Sequence, residues 1–395
     1  MHVQLWSYNY DPEPLGIGPV STVWAKAMKE RGHEIEIVAA HPHYPKPEWG
    51  MKLKPYREVR DGIPVTRLPL LIGRDTRRRR LLQEISFMAA QTAAVPFLGR
   101  PDTIISVSPS FPALLPAMLA TRARRIPWYL WLQDILPDGA ATTGLVDTGG
   151  MIYRGSRRLE SAAYGSAAGI VVLSESFREN LRSKGVPDSK ISVAFNPATF
   201  PVESLYAASA DREPPRIVCM GNIGRSQGLD EIVRDFESDP ELSKLGARLV
   251  ICGSGVAAPE VKAAIRTDRV EMPGLLSPED LRSELERASL ALVSQAYGEG
   301  EFNVPSKLMN YLAAGLPVIA SVRPESEAAR IVEASSAGWV TPQGRIGAAA
   351  SSALADPESL RTKSRNGLSF AESNLTPAAL AEKFDLLLRG GTRPA

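Results

Sequence analysis

The sequence predicts two α/β domains, each built on a doubly wound parallel sheet. Three observations predict this. Short apolar strands alternate with amphipathic helical stretches along almost the whole chain, the pattern of parallel sheets covered by helices. The alternation pauses once, at a polar, Ala/Ser-rich segment around Pro201 to Pro215 that carries Asp211, Arg212, Glu213 and Pro214. And 395 residues are enough for two domains that each bury a core.

In the first half, strands are expected at 2–8, 35–40, 102–107, 127–133, 169–173 and 191–195, with helices near 19–31, 81–98, 112–123, 150–167 and 175–184. The second series has strands RIVCMG at 216–221, ARLVICGSG at 247–255, RVEM at 269–272, LALVS at 290–294, PVIAS at 317–321 and GWVT at 338–341. Helices at 226–236, 278–287, 306–314 and 325–334 fall between them, and two more, 357–373 and 376–389, close the chain. The expected division is 1–200 for the first domain, 201–215 for a linker and 216–375 for the second domain. Ligands of such sheets bind at the carboxyl ends of strands, so a cleft between the two domains is the expected working site.

Composition excludes several classes. The hydrophobic share of 44% and charged share of 23% are those of an ordinary globular protein. A net charge of +2 argues neither for nor against a polyanion, and no nucleic-acid partner is expected. Cys219 and Cys252, both in apolar runs, imply neither a disulfide framework nor a zinc site, and a reducing compartment fits them. The opening MHVQLWSYNY reads as a first strand, lacking the basic and apolar regions of a signal peptide. Nothing approaches the ~20 apolar residues that span a bilayer. A cytoplasmic protein is expected, at most peripheral on the inner face of the membrane.

Four stretches can carry chemistry. In DPEPLGIGPVSTVWAKAMKERGH, Gly16 and Gly18 follow a strand and precede a helix, where backbone N–H groups can approach an anion. A tight turn needing positive φ explains them equally well. In CMGNIGRSQGLDEIV a strand ends in Gly221, and Gly224 and Gly228 precede a helix. Arg225 in this loop either pairs bidentately with a diphosphate or is simply an exposed loop arginine. In VICGSG, Gly253, Ser254 and Gly255 end the next strand. The richest stretch is YGEGEFNVPSKLMNYLAAGLPVIAS. Pro305 begins a helix, which puts Ser306 and Lys307 in a first turn whose N–H groups are unpaired. A helix N-terminus with a lysine suits the charge growing on a departing diphosphate. Asn310, one turn on, is placed to hold ribose hydroxyls as donor and acceptor. Glu299 and Glu301 in the preceding loop either grip sugar hydroxyls or are solvated carboxylates.

Residues 299–321, together with GNIGRSQGL and the N-terminal P-x-x-x-G-I-G stretch that runs into ERGHEIEIV, resemble glycosyltransferase family 4. The resemblance is nearest to the bacterial N-acetyl-L-fucosamine transferase-like subgroup and covers almost the whole chain; PSKLMNYLAAGLPVIAS is its most specific part. It implies the GT-B fold, two Rossmann-like domains facing across a cleft, with the final helix, about 376–391, crossing back to the first domain. It implies a retaining, metal-independent transfer from a nucleotide-diphosphate sugar held by the second domain, with UDP or GDP as nucleotide and UDP preferred, and no cofactor. Under it, Asp134, Arg225, Lys307 and Glu301 are the catalytic candidates. Gly221, Asn222, Gly224, Gln227, Gly253, Ser254, Gly255, Ser306 and Asn310 would hold the sugar nucleotide, and Gly16 and Gly18 would line the acceptor side.

Several family positions differ. Aligned on A-A-G-L-P-V, the second of two customary glutamates becomes Asn310 and the first falls at Phe302, beside Glu301. The usual lysine of the K-G-L segment is Gln227, and a histidine often found before aspartate is Gln133 in WLQDILPD. Asp134, at a strand end, orients the acceptor or the anomeric centre, or else caps the following turn. His33 reads as structural, and His41 and His43 as weak candidates for acceptor contact. No spacing suggests metal ligands.

Arg74, Arg77, Arg78, Arg79 and Arg80 precede LLQEISFMAAQTAAVPFLG, an apolar helix with few charges. Such a segment either docks on anionic lipid, as a polyprenyl-linked acceptor would need, or is a solvated loop before a core helix. The expected partners are therefore a nucleotide sugar, a lipid-linked or small-molecule acceptor, and an anionic membrane. Two competing readings are a nucleotide-sugar-binding pseudoenzyme, prompted by Gln227 and Asn310, and a sugar-nucleotide epimerase. The epimerase would want cleft histidines, and the C-terminal half has none.

Overall fold

The computed structural model describes residues 1–14, 16–43, 52–73, 76–108, 110, 112–134, 151–206, 214–296 and 305–390. The chain divides into two compact units, Met1–Asn196 with Leu380–Ala395, and Pro197–Ala379.

The first unit holds an eight-stranded sheet of β1 (His2–Ser7), β2 (Glu34–Ala40), β3 (Tyr56–Arg60), β4 (Ile63–Leu68), β5 (Thr103–Val107), β6 (Trp128–Trp131), β7 (Gly169–Val172) and β8 (Ile191–Val193). Their order is β3-β4-β2-β1-β5-β6-β7-β8, and every pairing is parallel except β3 with β4. The strands β5, β6 and β7 are nearly continuous buried runs, as expected where helices cover both faces, whereas the edge strand β3 carries Arg57, Glu58 and Arg60. One face packs Trp6, Phe87, Leu114 and Trp128; the other packs Val3, Leu5, Trp24 and Trp131.

The β3–β4 hairpin is absent from the sequence-based expectation. Its signal is legible in retrospect: Asp61-Gly62 stands between two strand-forming runs. Both residues take positive φ (51° and 69°), as a two-residue hairpin turn requires. The helices Pro240–Lys244, Ala258–Ala264 and Ile346–Leu354 are not placed individually by the sequence. The first two are short, with too few turns to show a period.

The helix Pro377–Gly390 carries Leu380, Ala381, Phe384 and Leu388 into the second of these cores, where Phe384 meets Trp24 at 5.4 Å and Trp131 at 4.9 Å between ring centroids. Asp385, on the same helix, accepts from Arg31 (3.3 Å) and Arg389 (2.8 Å), and its Oδ1 lies 3.0 Å from His33 Nε2. These partners, Arg389 foremost, lower the Asp385 pKa below its ordinary value. His33 thus has a structural task, pinning this helix to the loop before β2.

The second unit is a six-stranded, all-parallel sheet of β9 (Arg216–Met220), β10 (Arg248–Cys252), β11 (Val270–Gly274), β12 (Leu290–Ser294), β13 (Val318–Ser321) and β14 (Gly338–Thr341). The order β11-β10-β9-β12-β13-β14 is the dinucleotide-fold order, reversing between β9 and β12. Residues 201–206, read as linker from the sequence, are packed onto this unit. Leu205 and Tyr206 are buried, and the N–H groups of Glu203 and Leu205 donate to the carbonyls of Ala313 and Ala314.

Candidate active site

In a doubly wound sheet the two strands flanking the reversal send their loops to opposite faces, opening a crevice at their carboxyl ends. In the second unit that place lies between β9 and β12. These strands share only two registered pairs, Leu290 with Ile217 and Ala291 with Val218, so they part toward their ends. The buried Tyr311 hydroxyl accepts the N–H of Met220 at 2.7 Å where no strand can. Tyr311 belongs to the helix Ser306–Ala313, whose first turn presents Ser306 and Lys307. Pro305 is its N-cap and, among the described residues, no side chain caps it, leaving the Ser306 and Lys307 N–H groups for a ligand.

Lys307 is half-buried, and its Nζ donates to Gln227 Oε1 at 2.9 Å and lies 3.8 Å from Cys219 Sγ. Among the described residues no carboxylate forms an ion pair with it. Gln227 ends the single 3-10 turn Arg225–Gln227 in the loop after β9, and its Nε2 donates to the Asn222 carbonyl. Ser294 Oγ at the end of β12 donates to the Gln227 carbonyl, and the Ala296 N–H donates to that of Ser226, tying the two switch-point loops together. A cavity of about 270 Å³ opens here, with Ser306, Lys307, Asn310 and Gly253 on its polar side and Leu275, Leu276 and Leu281 on its apolar side.

Other candidates from the sequence fare differently. Arg225 is turned outward, with 76% of its side chain exposed, and pairs with Glu260 at 2.9 Å. A surface pair of this kind is worth about 0–1 kcal/mol, so it is easily exchanged for an anion, but it does not preorganise one. Asn310 is buried, and its Oδ1 accepts both the N–H (2.8 Å) and the hydroxyl (3.0 Å) of Thr199. The backbone N–H can only donate, which fixes the amide orientation and leaves Nδ2 without a partner among the described residues, available to a ligand. Asn310 therefore offers a donor there, not the donor and acceptor expected.

Gly253 and Gly255 have a packing reason. A Cβ at Gly253 would collide with the Gly221 carbonyl, and one at Gly255 with the Ile223 carbonyl. The loops after β9 and β10 lie backbone on backbone, with Gly221 N–H donating to Cys252 (2.8 Å) and Ile223 N–H to Ser254 (2.9 Å). Gly253 N–H donates to Gly274, so the amides of Gly221 and Gly253 are occupied within the fold. Asn222 and Ser254 are exposed on these loops, and Gly224 is buried, its carbonyl accepting from Gln227 N–H.

The first unit has its own switch point, between β1 and β5. Gly16 (φ 69°) and Gly18 lie in the loop after β1, and Gly18 opens the helix Gly18–Glu30. The sequence reading passed over Glu13, which organises this loop from the interior. It is 1% exposed and accepts from Asn9 Nδ2 (3.0 Å) and the N–H groups of Tyr10 (3.3 Å) and His43 (2.9 Å). His41 and His43 are both buried, which removes them as surface contacts for an acceptor. Desolvation lowers the His41 pKa, favouring the neutral ring. Gln133 and Asn196 exchange two amide hydrogen bonds, 3.1 and 2.8 Å, joining the ends of β6 and β8. Asp134, beside them, is exposed, its N–H 3.4 Å from Ser108 Oγ; the protein crowding around it raises its carboxyl pKa. Asn196 and Ser108 carry no motif that would have drawn attention to them. Glu299 and Glu301, with Phe302 beside them, lie outside the described residues, as does the turn that Asp134 would cap.

The helix Arg77–Ala94 is two-faced. Gln83, Phe87 and Gln91 are buried, whereas Leu81, Leu82 and Ile85 are 46%, 54% and 42% exposed. Arg78, Arg79 and Arg80 are exposed at its start, and Phe97, just past its end, is 79% exposed. One face of the helix thus packs in the core while the other is exposed. Arg74 and the Arg77 side chain lie outside what is described. No helix among the described residues is long and apolar enough to cross a membrane, and none of their His, Cys, Asp and Glu side chains group as a metal site.

Two family descriptions match the chain in succession: a glycosyl transferase 4-like domain over residues 16–197 and glycosyl transferases group 1 over residues 214–356. The chain is a family 4 glycosyltransferase. A relative of this glycosyltransferase is the putative colanic acid biosynthesis glycosyl transferase WcaI of Escherichia coli (strain K12), 26% identical over 355 residues, which cover 84% of this chain and 86% of WcaI. Among solved structures, Anabaena Alr3699/HepE in complex with UDP superposes with a TM-score of 0.66 at 14% identity, covering 99% of this chain and 100% of that one. WaaG, a glycosyltransferase involved in lipopolysaccharide biosynthesis, gives 0.65 at 15% identity over 98% and 100%. These structures share the GT-B fold with this glycosyltransferase.

Proposed function

We propose that this glycosyltransferase takes its sugar from a uridine diphosphate donor bound by the second unit. The sugar passes to a lipid-linked or small-molecule acceptor in the synthesis of cell-envelope polysaccharide. The observation that carries the reading is the Lys307 ammonium, seated at the β9/β12 switch point beside an uncapped helix N-terminus and a cavity. WcaI, named for colanic acid biosynthesis, and HepE, crystallised with UDP, support the substrate class.

The chemistry follows from the charges. As the glycosidic phosphate bond breaks, negative charge builds on the departing diphosphate, and Lys307 with the first-turn N–H groups stabilises it without a metal. Transfer on the same face, with retention, lets a leaving phosphate oxygen take the acceptor proton, so the enzyme supplies position and charge more than a strong base. Arg225 can swing from Glu260 to the same phosphates, Asn310 Nδ2 donates to the ribose, and Asp134 orients the acceptor side together with the loop of Gly16 and Gly18. Glu301 is assigned to the sugar hydroxyls.

A thermal-shift screen against UDP, GDP and dTDP sugars tests this. A ligand at about 100 times its Kd stabilises by about 2.7 kcal/mol, which is a Tm rise of about 5–10 °C for a unit of this size. A screen in which no uridine nucleotide stabilises the protein sinks the reading. Turnover separates an enzyme from a pseudoenzyme: hydrolysis or transfer from a UDP-sugar excludes the latter.

The exposed Leu81, Leu82, Ile85 and Phe97 beside Arg78, Arg79 and Arg80 form the face by which the enzyme docks on anionic membrane to reach a lipid-linked acceptor. Each arginine contributes about 1 kcal/mol near such a surface. Replacing Arg78, Arg79 and Arg80 by alanine is therefore expected to lower vesicle affinity by about 100-fold. Wild-type protein that stays in the soluble fraction during flotation with anionic vesicles contradicts the docking.

A further inference from the structure

We infer that Gln227 is a positioning residue for the transfer: it holds the Lys307 ammonium at the switch point without adding an opposing charge of its own. The inference rests on the reading of Lys307 as the diphosphate cation. The amide of Gln227 bridges two groups that fix its orientation. The Asn222 carbonyl can only accept, so it takes Nε2; the Lys307 ammonium can only donate, so it takes Oε1 at 2.9 Å. The bridge joins the loop after β9 to the helix Ser306–Ala313, across 80 residues of sequence. Gln227 is held from behind, because its own carbonyl accepts from Ser294 Oγ and its N–H donates to Gly224.

The choice of a neutral acceptor matters. A lysine carries four rotatable side-chain bonds and loses about 2 kcal/mol of rotamer entropy when ordered, so an anchor in the free enzyme prepays part of that cost. A carboxylate at residue 227 would anchor the ammonium more strongly but cancel its charge, and an incoming diphosphate would have to displace it. The carbamoyl oxygen orders the lysine and leaves a full positive charge. A lysine at 227 would set two ammonium groups against each other at this spacing. The residue types at 227 and 307 are thus coupled: with the cation on the helix, the loop supplies an acceptor.

The test uses UDP and uridine as probes, with the affinity of the full-length protein for each measured by calorimetry. Gln227→Glu is expected to weaken UDP binding about tenfold or more, because the new carboxylate pairs with Lys307. Gln227→Met, of similar length and apolar, is expected to weaken it by about threefold to tenfold through loss of the anchor. Both should bind uridine within about twofold of wild type, which also reports that the fold is intact and which a merely structural role would not spare. In a Lys307→Met background either substitution should change UDP affinity by less than about twofold, since coupled residues are non-additive. The inference is overturned if Gln227→Glu binds UDP like wild type while Lys307→Met does not, or if the Gln227 effects persist in full without Lys307. A Lys307→Met variant that binds UDP as well as wild type overturns the donor-site reading instead, and this inference with it.

Discussion

Lys307→Ala is expected to lower kcat/KM for the nucleotide sugar by about 100- to 1,000-fold, the usual consequence of removing one preorganised group from a developing oxyanion. The arrangement of the residue supports the upper part of that range. The ammonium is half-buried, where its field is less screened than at an exposed surface, and no described carboxylate offsets it. The other proposed cation, Arg225, is exposed and engaged with Glu260, so it can replace little of the lost preorganisation. Most of the loss should fall on kcat, because charge on the diphosphate is greater in the transition state than in the bound donor. Stability should hardly change: the substitution breaks one neutral-acceptor hydrogen bond at a partly open position, worth about 1 kcal/mol. Steady-state kinetics with a thermal melt distinguish the two effects. Unchanged kcat/KM in a folded Lys307→Ala protein would remove the lysine from the mechanism.

Gly253→Ala is expected to be the most damaging single-methyl substitution for the second unit, costing about 3 kcal/mol or more and lowering its Tm by about 6–12 °C. Two independent penalties coincide there. The backbone takes φ +144°, a conformation that side chains rarely adopt, and the added Cβ would point into the Gly221 carbonyl oxygen. Backbone cannot yield as a flexible side chain would. Relief requires pushing the loop after β9 away from that after β10, which breaks the bonds from Gly221 to Cys252 and from Ile223 to Ser254 and moves the segment that carries Gln227. Nucleotide affinity should fall along with stability. Gly165→Ala is the control: it lies in the helix Met151–Ser166 with nothing within 4 Å of the new methyl group, so a neutral or slightly stabilising effect of up to about 1 kcal/mol is expected. Equal melting temperatures for Gly253→Ala and wild type would show that the two loops are not packed as described.

The sequence by itself determined the α/β class and most of the elements. Periodicity and strand-ending glycines are local signals, and a strand buried on both faces shows as an uninterrupted apolar run wherever it occurs. The position of Lys307 in a helical first turn was legible for the same reason, since Pro305 and the following periodic residues announce a helix start. The β3–β4 hairpin was written in Asp61-Gly62 but hidden by the apparent absence of a helix between two strands.

The tertiary structure alone decided which groups meet. It brings Gln227 to Lys307 from 80 residues away, commits Asn310 Oδ1 to Thr199, and turns Arg225 toward Glu260. It makes Gly253 and Gly255 packing residues, although in the sequence they are strand-ending glycines like Gly221. It also buries Glu13 under a loop where a sequence shows only one more acid among prolines. The physical reason is common to all five. Hydrogen-bond partners and van der Waals clearances are set by how separate strands and helices pack in three dimensions, and no local periodicity encodes the distance between residues that only the folded sheet makes neighbours.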